Sequence, residues 1–240
     1  MSPEGSERSP WVWVGGGCLG CLVLLIIVGG ILTFVGIRWG KQVERDMEDP
    51  VARDRQVKEI LGADELPEGY HGMVAVSIPF VMDTAILTDK VPEPGDPPEG
   101  FDEYGFIYVK LIRFKQPTQE LRDFFEGRSD DDSVLRDQGI NIDSREVIDR
   151  GSFMLDAAEV LWAAHRGEVS AGMVDDDQDG LLTILLVECG EARQRRLGVW
   201  FAPDPDPGAP VEELTLEGSI ADEDAIRDFL GHFTLCGSSG

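Results

Sequence analysis

Basic side chains, histidine and cysteine are all scarce in this chain, and one long stretch near its start has no charge at all. There are 21 Lys and Arg against 46 Asp and Glu, a formal net charge of −25. A surface of that sign repels phosphate backbones and anionic headgroups, which argues against nucleic acid and suits cationic partners or a salty environment, while a solvated, soluble surface is the plainer and preferred reading. The three histidines, His71, His165 and His232, lie far apart in sequence. No H-E-x-x-H, paired C-x-x-C or Gly-rich phosphate loop is present. Ser152 and Ser170 stand in no G-x-S-x-G nucleophile elbow. Of the four cysteines only two lie outside the apolar stretch, so no disulfide framework is implied. Cys189 and Cys236, the two outside the apolar stretch, allow one disulfide and leave the compartment open.

The uncharged segment runs from Trp11 to Ile37. Its densest part, Cys18 to Ile37, would reach ~30 Å as a helix, the thickness of a bilayer's hydrocarbon. Trp11 and Trp13 mark one end, and Arg38, Trp39 and Lys41 the other, residues that favour the headgroup layer. A signal peptide would need a basic start and an Ala-x-Ala site, whereas Glu4, Glu7 and only Arg8 precede this segment. A lipidated cysteine would follow the apolar core, and Cys18 and Cys21 precede most of it. The expectation is an uncleaved single-pass transmembrane helix in the cell membrane. Cys18-Leu19-Gly20-Cys21 has no setting that favours a thiolate and reads as small apolar residues. Gly16 with Gly20, and Gly36 with Gly40, have the spacing that lets two such helices pack as a homodimer. Arg38, Lys41, Arg45, Arg53, Arg55 and Lys58 outnumber the cations before the span. The positive-inside rule therefore slightly favours a cytoplasmic C-terminal part over an extracytoplasmic one, although Glu44, Asp46, Glu48 and Asp49 dilute that bias.

The organisation predicted is a polar tail (1–10), the span (11–37), a helical juxtamembrane stalk (38–63) and an acidic α+β globular domain (64–240). Asp49-Pro50 is a helix start, Val57, Ile60 and Leu61 share a face, and Gly62 is a C-cap, so a helix is predicted over 50–61. Leu66-Pro67-Glu68-Gly69-Tyr70 reads as a type I turn opening the domain. Strands are predicted at Met73 to Pro79, Thr84 to Thr88 and Phe106 to Phe114, with an acidic, Pro-rich loop from Lys90 to Gly105. A helix follows from Pro117 to Phe125, with Leu121, Phe124 and Phe125 facing inward. Further strands are predicted at Arg145 to Asp149, Glu159 to Arg166, Leu181 to Glu188 and Arg195 to Ala202, then a helix from about Asp222 to Phe233. Trp162 and Trp200 read as sheet-core aromatics.

Leu121-Arg122-Asp123-Phe124-Phe125 matches Ile226-Arg227-Asp228-Phe229-Leu230, each after a block of strands. That match predicts two related βββα halves in one antiparallel-sheet domain, although two amphipathic helices can match by chance. The Pro-Glu-Gly-Tyr opening, the strand blocks and the closing run Ala221 to Leu230 resemble uncharacterised bacterial single-pass membrane proteins. More faintly, over roughly 64–236, they resemble the Mog1/PsbP-type domain. The resemblance implies an antiparallel sheet with packed helices and a binding or scaffolding role. It marks no catalytic residue.

The sharpest local pattern is Asp175-Asp176-Asp177-Gln178-Asp179-Gly180. Asp175, Asp177 and Asp179 followed by Gly180 copy the first half of a calcium loop. The twelfth position, where a bidentate Glu is needed, is Leu186, and Glu188 lies too far along. An acidic hairpin tip ending in Asp-Gly is therefore the stronger reading, with calcium as the alternative. His165 could serve acid–base chemistry near Glu168, but no second catalytic group is marked beside it. The sequence thus points to a membrane-anchored, non-enzymatic interaction or scaffold protein with a protein partner. A calcium- or small-ligand-binding sensor is the alternative and an unmarked hydrolase a distant third.

Overall fold

The computed structural model describes residues 49–93, 95, 100–111, 118–131, 133–136, 142–169, 178–190 and 195–236. The proposed span and its glycine and cysteine pairs lie outside the described residues. Among the described residues, no helix is long and apolar enough to cross a membrane.

The elements are α1 (Pro50–Leu61), β1 (His71–Ile78), β2 (Met82–Thr88), β3 (Gly105–Leu111), α2 (Thr118–Phe125), α3 (Ser133–Arg136), β4 (Ile142–Leu155), β5 (Ala158–Val169), β6 (Gln178–Cys189), β7 (Arg195–Pro203) and α4 (Glu223–Gly231). The strands form one seven-stranded sheet in the order β1-β2-β3-β7-β6-β5-β4. Every neighbouring pair is antiparallel. Two meanders therefore join where β3 meets β7. This is the α+β architecture expected, but the halves are unequal. The second block has four strands, so the pattern is βββα followed by ββββα.

Alternation along each strand divides the sheet into two buried faces. On one, Leu87, Phe106, Trp162, Leu185 and Trp200 pack against Val57 and Leu61 of α1 and Ile226, Phe229 and Leu230 of α4. On the other, Leu161, Ala163, Ile184, Leu186 and Leu197 pack beneath Leu121, Phe124 and Phe125 of α2 and Leu135 of α3. The central strands β6 and β7 are covered on both sides, which explains their nearly continuous apolar sequence.

Local signals set the element ends. Asp49 caps α1 by accepting from the Val51 amide (3.0 Å), and Gly62 closes it in the left-handed region at φ 66°. The opening turn differs from the type I prediction. The Tyr70 amide donates to the Pro67 carbonyl, and Gly69, third in the turn, has φ 83°. A positive φ there defines type II and calls for glycine. Two hydrogen bonds from α1 to the edge strand converge on one residue: Arg53 Nε donates to the Gly72 carbonyl (2.7 Å), and the Gly72 amide donates to Asp54 Oδ1 (2.6 Å). The ladder between β1 and β2 slips between Gly72 and Val74, and α1 satisfies the backbone groups there. β4 is far longer than the Arg145 to Asp149 segment read from sequence. Two bulges interrupt it, between Ser144 and Glu146 and between Val147 and Asp149. Bulges and charges of this kind protect a sheet edge from pairing with another chain.

Cys189 at the end of β6 and Cys236 beyond α4 form a disulfide spanning a sequence separation of 47. The bond ties the chain after the last helix to the sheet. Two residues earlier, the Thr234 amide donates to the Gly62 carbonyl (3.2 Å), joining the same turn to the C-cap of α1.

Candidate binding cleft

An open cleft of about 680 Å³ lies at one end of the sheet. Tyr70, Tyr104 and Trp200 contribute aromatic surface, and Glu68, Glu103 and Glu217 stand at its rim. Three loops converge to make it. The type II turn at Pro67 delivers Glu68 and Tyr70. The loop before β3 delivers Glu103 and Tyr104. The strap between β7 and α4 delivers Glu217.

Each loop is held by specific bonds. The Asp89 carboxylate accepts from the backbone amides of Asp102 (2.7 Å), Glu103 (2.7 Å) and Tyr104 (3.0 Å), which fixes the second loop. Nearby, Phe101 packs on Phe201 with centroids 5.1 Å apart. Arg166 braces the strap. It pairs with Asp204 (2.6 Å) and donates to the Ala209 (2.7 Å) and Asp206 (3.1 Å) carbonyls. The Thr183 hydroxyl donates to the Ile220 carbonyl at the strap's far end.

Trp200 Nε1 donates to the Tyr70 hydroxyl (2.8 Å), and the indole stacks on Phe229 of α4 with centroids 4.1 Å apart. Burial pushes the Tyr70 pKa up to about 12, and the nearby negative charge of Asp89 acts in the same direction, so the hydroxyl stays neutral. Tyr104 is 41% exposed. Among the described residues, no ion pair involves Glu68, Glu103 or Glu217, and all three are exposed. The cleft therefore combines an exposed aromatic ring, Tyr104, with uncompensated negative charge, a pairing that attracts ammonium and guanidinium groups.

The residues singled out from sequence fare differently. Asp175 and Asp177 lie outside the described residues. Asp179 is on β6, opposite Glu168 of β5 in the ladder. Leu186 is core, and Glu188 is engaged by Arg122 and Arg195, so neither completes a calcium loop. Among the described residues, no group of three or more His, Cys, Asp or Glu could hold a metal ion. His165 is 2% exposed and stacks parallel to Phe124, with centroids 5.8 Å apart, under α2. That site gives a catalytic imidazole no open approach. Ser152 is exposed, and Ser170 lies outside the described residues.

Trp200 sits in the core as predicted and also borders the cleft. Tyr70, Tyr104 and the acidic rim were not singled out from sequence, because they are brought together only by the closing of the sheet. The Pro-Glu-Gly-Tyr turn was the one available signal. No family model matches the chain, and no curated protein matches it.

Proposed function

We propose that this chain is a membrane-tethered, non-enzymatic docking protein that takes a cationic segment of a protein partner into the cleft at Tyr70, Tyr104 and Trp200. The observation that carries this reading is the cleft itself: aromatic side chains, a neutral hydroxyl on half-buried Tyr70, and a rim of carboxylates without cations. Its volume lies in the range of ligand sites, ~300–1,000 Å³, and is open enough for side chains of a polypeptide. The tether is the uncharged segment Trp11 to Ile37.

The Cys189–Cys236 disulfide supports placing the domain outside the cytoplasm, because such bonds persist in oxidising compartments. It weighs against the cytoplasmic side, which the mixed flanking charges only slightly favour.

A photo-crosslinking residue at position 104 in living cells tests the reading, with the same residue at exposed position 152 as control. A discrete adduct at 104, absent at 152 and lost when Glu68 and Glu217 are changed to Gln, is the expected result. Equal crosslinking at both positions, or none at 104, overturns it.

A further inference from the structure

Arg196 presents a physical problem that its surroundings do not solve. Arg196 is 4% exposed and alternates with Gly198 and Trp200 on the sheet face that carries Tyr108. Among the described residues, no carboxylate pairs with it. Burying a guanidinium costs several kcal/mol unless an opposite charge accompanies it.

Its neighbours are known from every side. Tyr108 of β3 accepts a hydrogen bond from it, but burial pushes that phenol's pKa up to about 12, so the ring supplies no negative charge. Lys110, its partner in the β3–β7 ladder, is occupied by Asp83 of β2 at 3.3 Å. Glu59 of α1 lies in the pocket with Lys110 and Asp83. Glu188 and Arg195, one residue removed on β6 and β7, pair with each other. The remaining contact is sulfur: Arg196 Nη1 lies 2.7 Å from Cys189 Sγ.

A thiolate at Cys189 would be the missing counter-ion. We infer that Cys189–Cys236 is a reversible thiol–disulfide exchange site, polarised by Arg196, and that its partner is a dithiol oxidoreductase. Cys189 is buried and Cys236 half-buried, so Cys236 is the sulfur open to attack. A thiolate of the donor bonds to Cys236 Sγ. The Cys189–Cys236 bond breaks, and Cys189 leaves with the electron pair as a thiolate beside Arg196. The donor's second thiolate then attacks its own sulfur in the mixed disulfide. That step releases Cys236, which takes up a proton, and leaves the donor as the disulfide. Two electrons pass from donor to protein. A cation beside the leaving sulfur favours the first step, since lower-pKa thiols leave faster.

Opening the bond frees the turn containing Thr234, whose amide holds the Gly62 carbonyl at the end of α1. The exchange site would thereby control how firmly the helix nearest the membrane segment is held to the sheet. This inference does not depend on what occupies the cleft.

The test uses the full chain in detergent micelles with Cys18→Ser and Cys21→Ser, so that two cysteines remain. In the fully reduced protein, iodoacetamide alkylation against pH should show Cys189 ionising below Cys236, resolved by peptide mass. Cys189 at or above Cys236 overturns the proposal without need of any further variant. Against graded dithiol buffers, Arg196→Met should shift the equilibrium toward the disulfide by roughly tenfold or more, and Arg196→Lys by less. An unchanged equilibrium in Arg196→Met also overturns it.

Discussion

Glu159 and Glu188 stand directly opposite one another on β5 and β6. Like charges in that position repel. Arg122 of α2 resolves the conflict by donating from one guanidinium nitrogen to both, at 2.7 Å to Glu188. Arg195 adds a second cation 3.4 Å from Glu188. The two carboxylates hold the Arg122 guanidinium above its ordinary range, Glu188 most strongly. The contribution of the cation is therefore fully present throughout the neutral range and is lost only at strongly alkaline pH. The pair thus anchors α2 over the second meander by charge as well as by Phe124 and Phe125.

Replacing Arg122 by Gln should lower stability by about 1–3 kcal/mol at neutral pH, because Glu159 loses its cation and faces Glu188, which keeps only Arg195. Adding Glu159→Gln should recover part of the loss. Urea denaturation of the three proteins checks this. Additive rather than compensating losses would show that the trio is not coupled.

Gly72 should not tolerate a side chain. A Cβ there would lie 2.8 Å from Asp54 Oδ1 and 3.2 Å from the Asp54 backbone. Gly72→Ala should cost about 1–3 kcal/mol and loosen α1, through which any membrane segment joins the sheet. Amide exchange over 50–61, compared with β5–β6, gives the readout: protection should fall in the helix first.

Loss of the disulfide should lower stability by about 4 kcal/mol on the loop-closure relation for a separation of 47. The melting temperature of the native chain should fall on reduction, while Cys189→Ala/Cys236→Ala should melt low in either state.

Tyr70→Phe removes the acceptor of a buried indole N–H and should cost about 1–3 kcal/mol. It should also change the alkaline limb. The Tyr70 and Tyr108 pKa values are raised from 10.0 to about 12, chiefly by burial. Each favours the neutral form in the folded state, so its contribution is complete below pH 10 and lost as pH climbs toward about 12. Tyrosinate absorbance should accordingly show Tyr70 and Tyr108 ionising late, and the Tyr70 part of that late absorbance should be missing in Tyr70→Phe.

Where local chemistry decides, the sequence was a good guide. Asp49 and Gly62 mark the ends of α1, and Leu121, Phe124, Phe125, Ile226, Phe229 and Leu230 face the core as their helical spacing requires. The apolar runs of β6 and β7 are legible because both faces are covered. β4 was cut short because its Arg, Glu and Asp residues and two bulges erase the alternation that marks a half-buried strand. Of the cleft, only the Pro-Glu-Gly-Tyr turn was legible. Tyr70, Tyr104, Trp200 and Glu217 are separated by long stretches of chain, and no local spacing encodes their convergence. The pairing of Cys189 with Cys236 was allowed by count, but its guanidinium neighbour follows only from the β6–β7 register.

The proposal of a tethered docking protein stabilised by a disulfide is tested most directly by asking whether the domain is reached from outside the cell. Exposed Ser152 is changed to Cys in the full chain carrying Cys18→Ser and Cys21→Ser, with Cys189 and Cys236 retained, and intact cells are treated with a membrane-impermeant maleimide. Labelling of intact cells to the extent seen after lysis is predicted. Labelling only after lysis would place the domain in the cytoplasm and contradict the account.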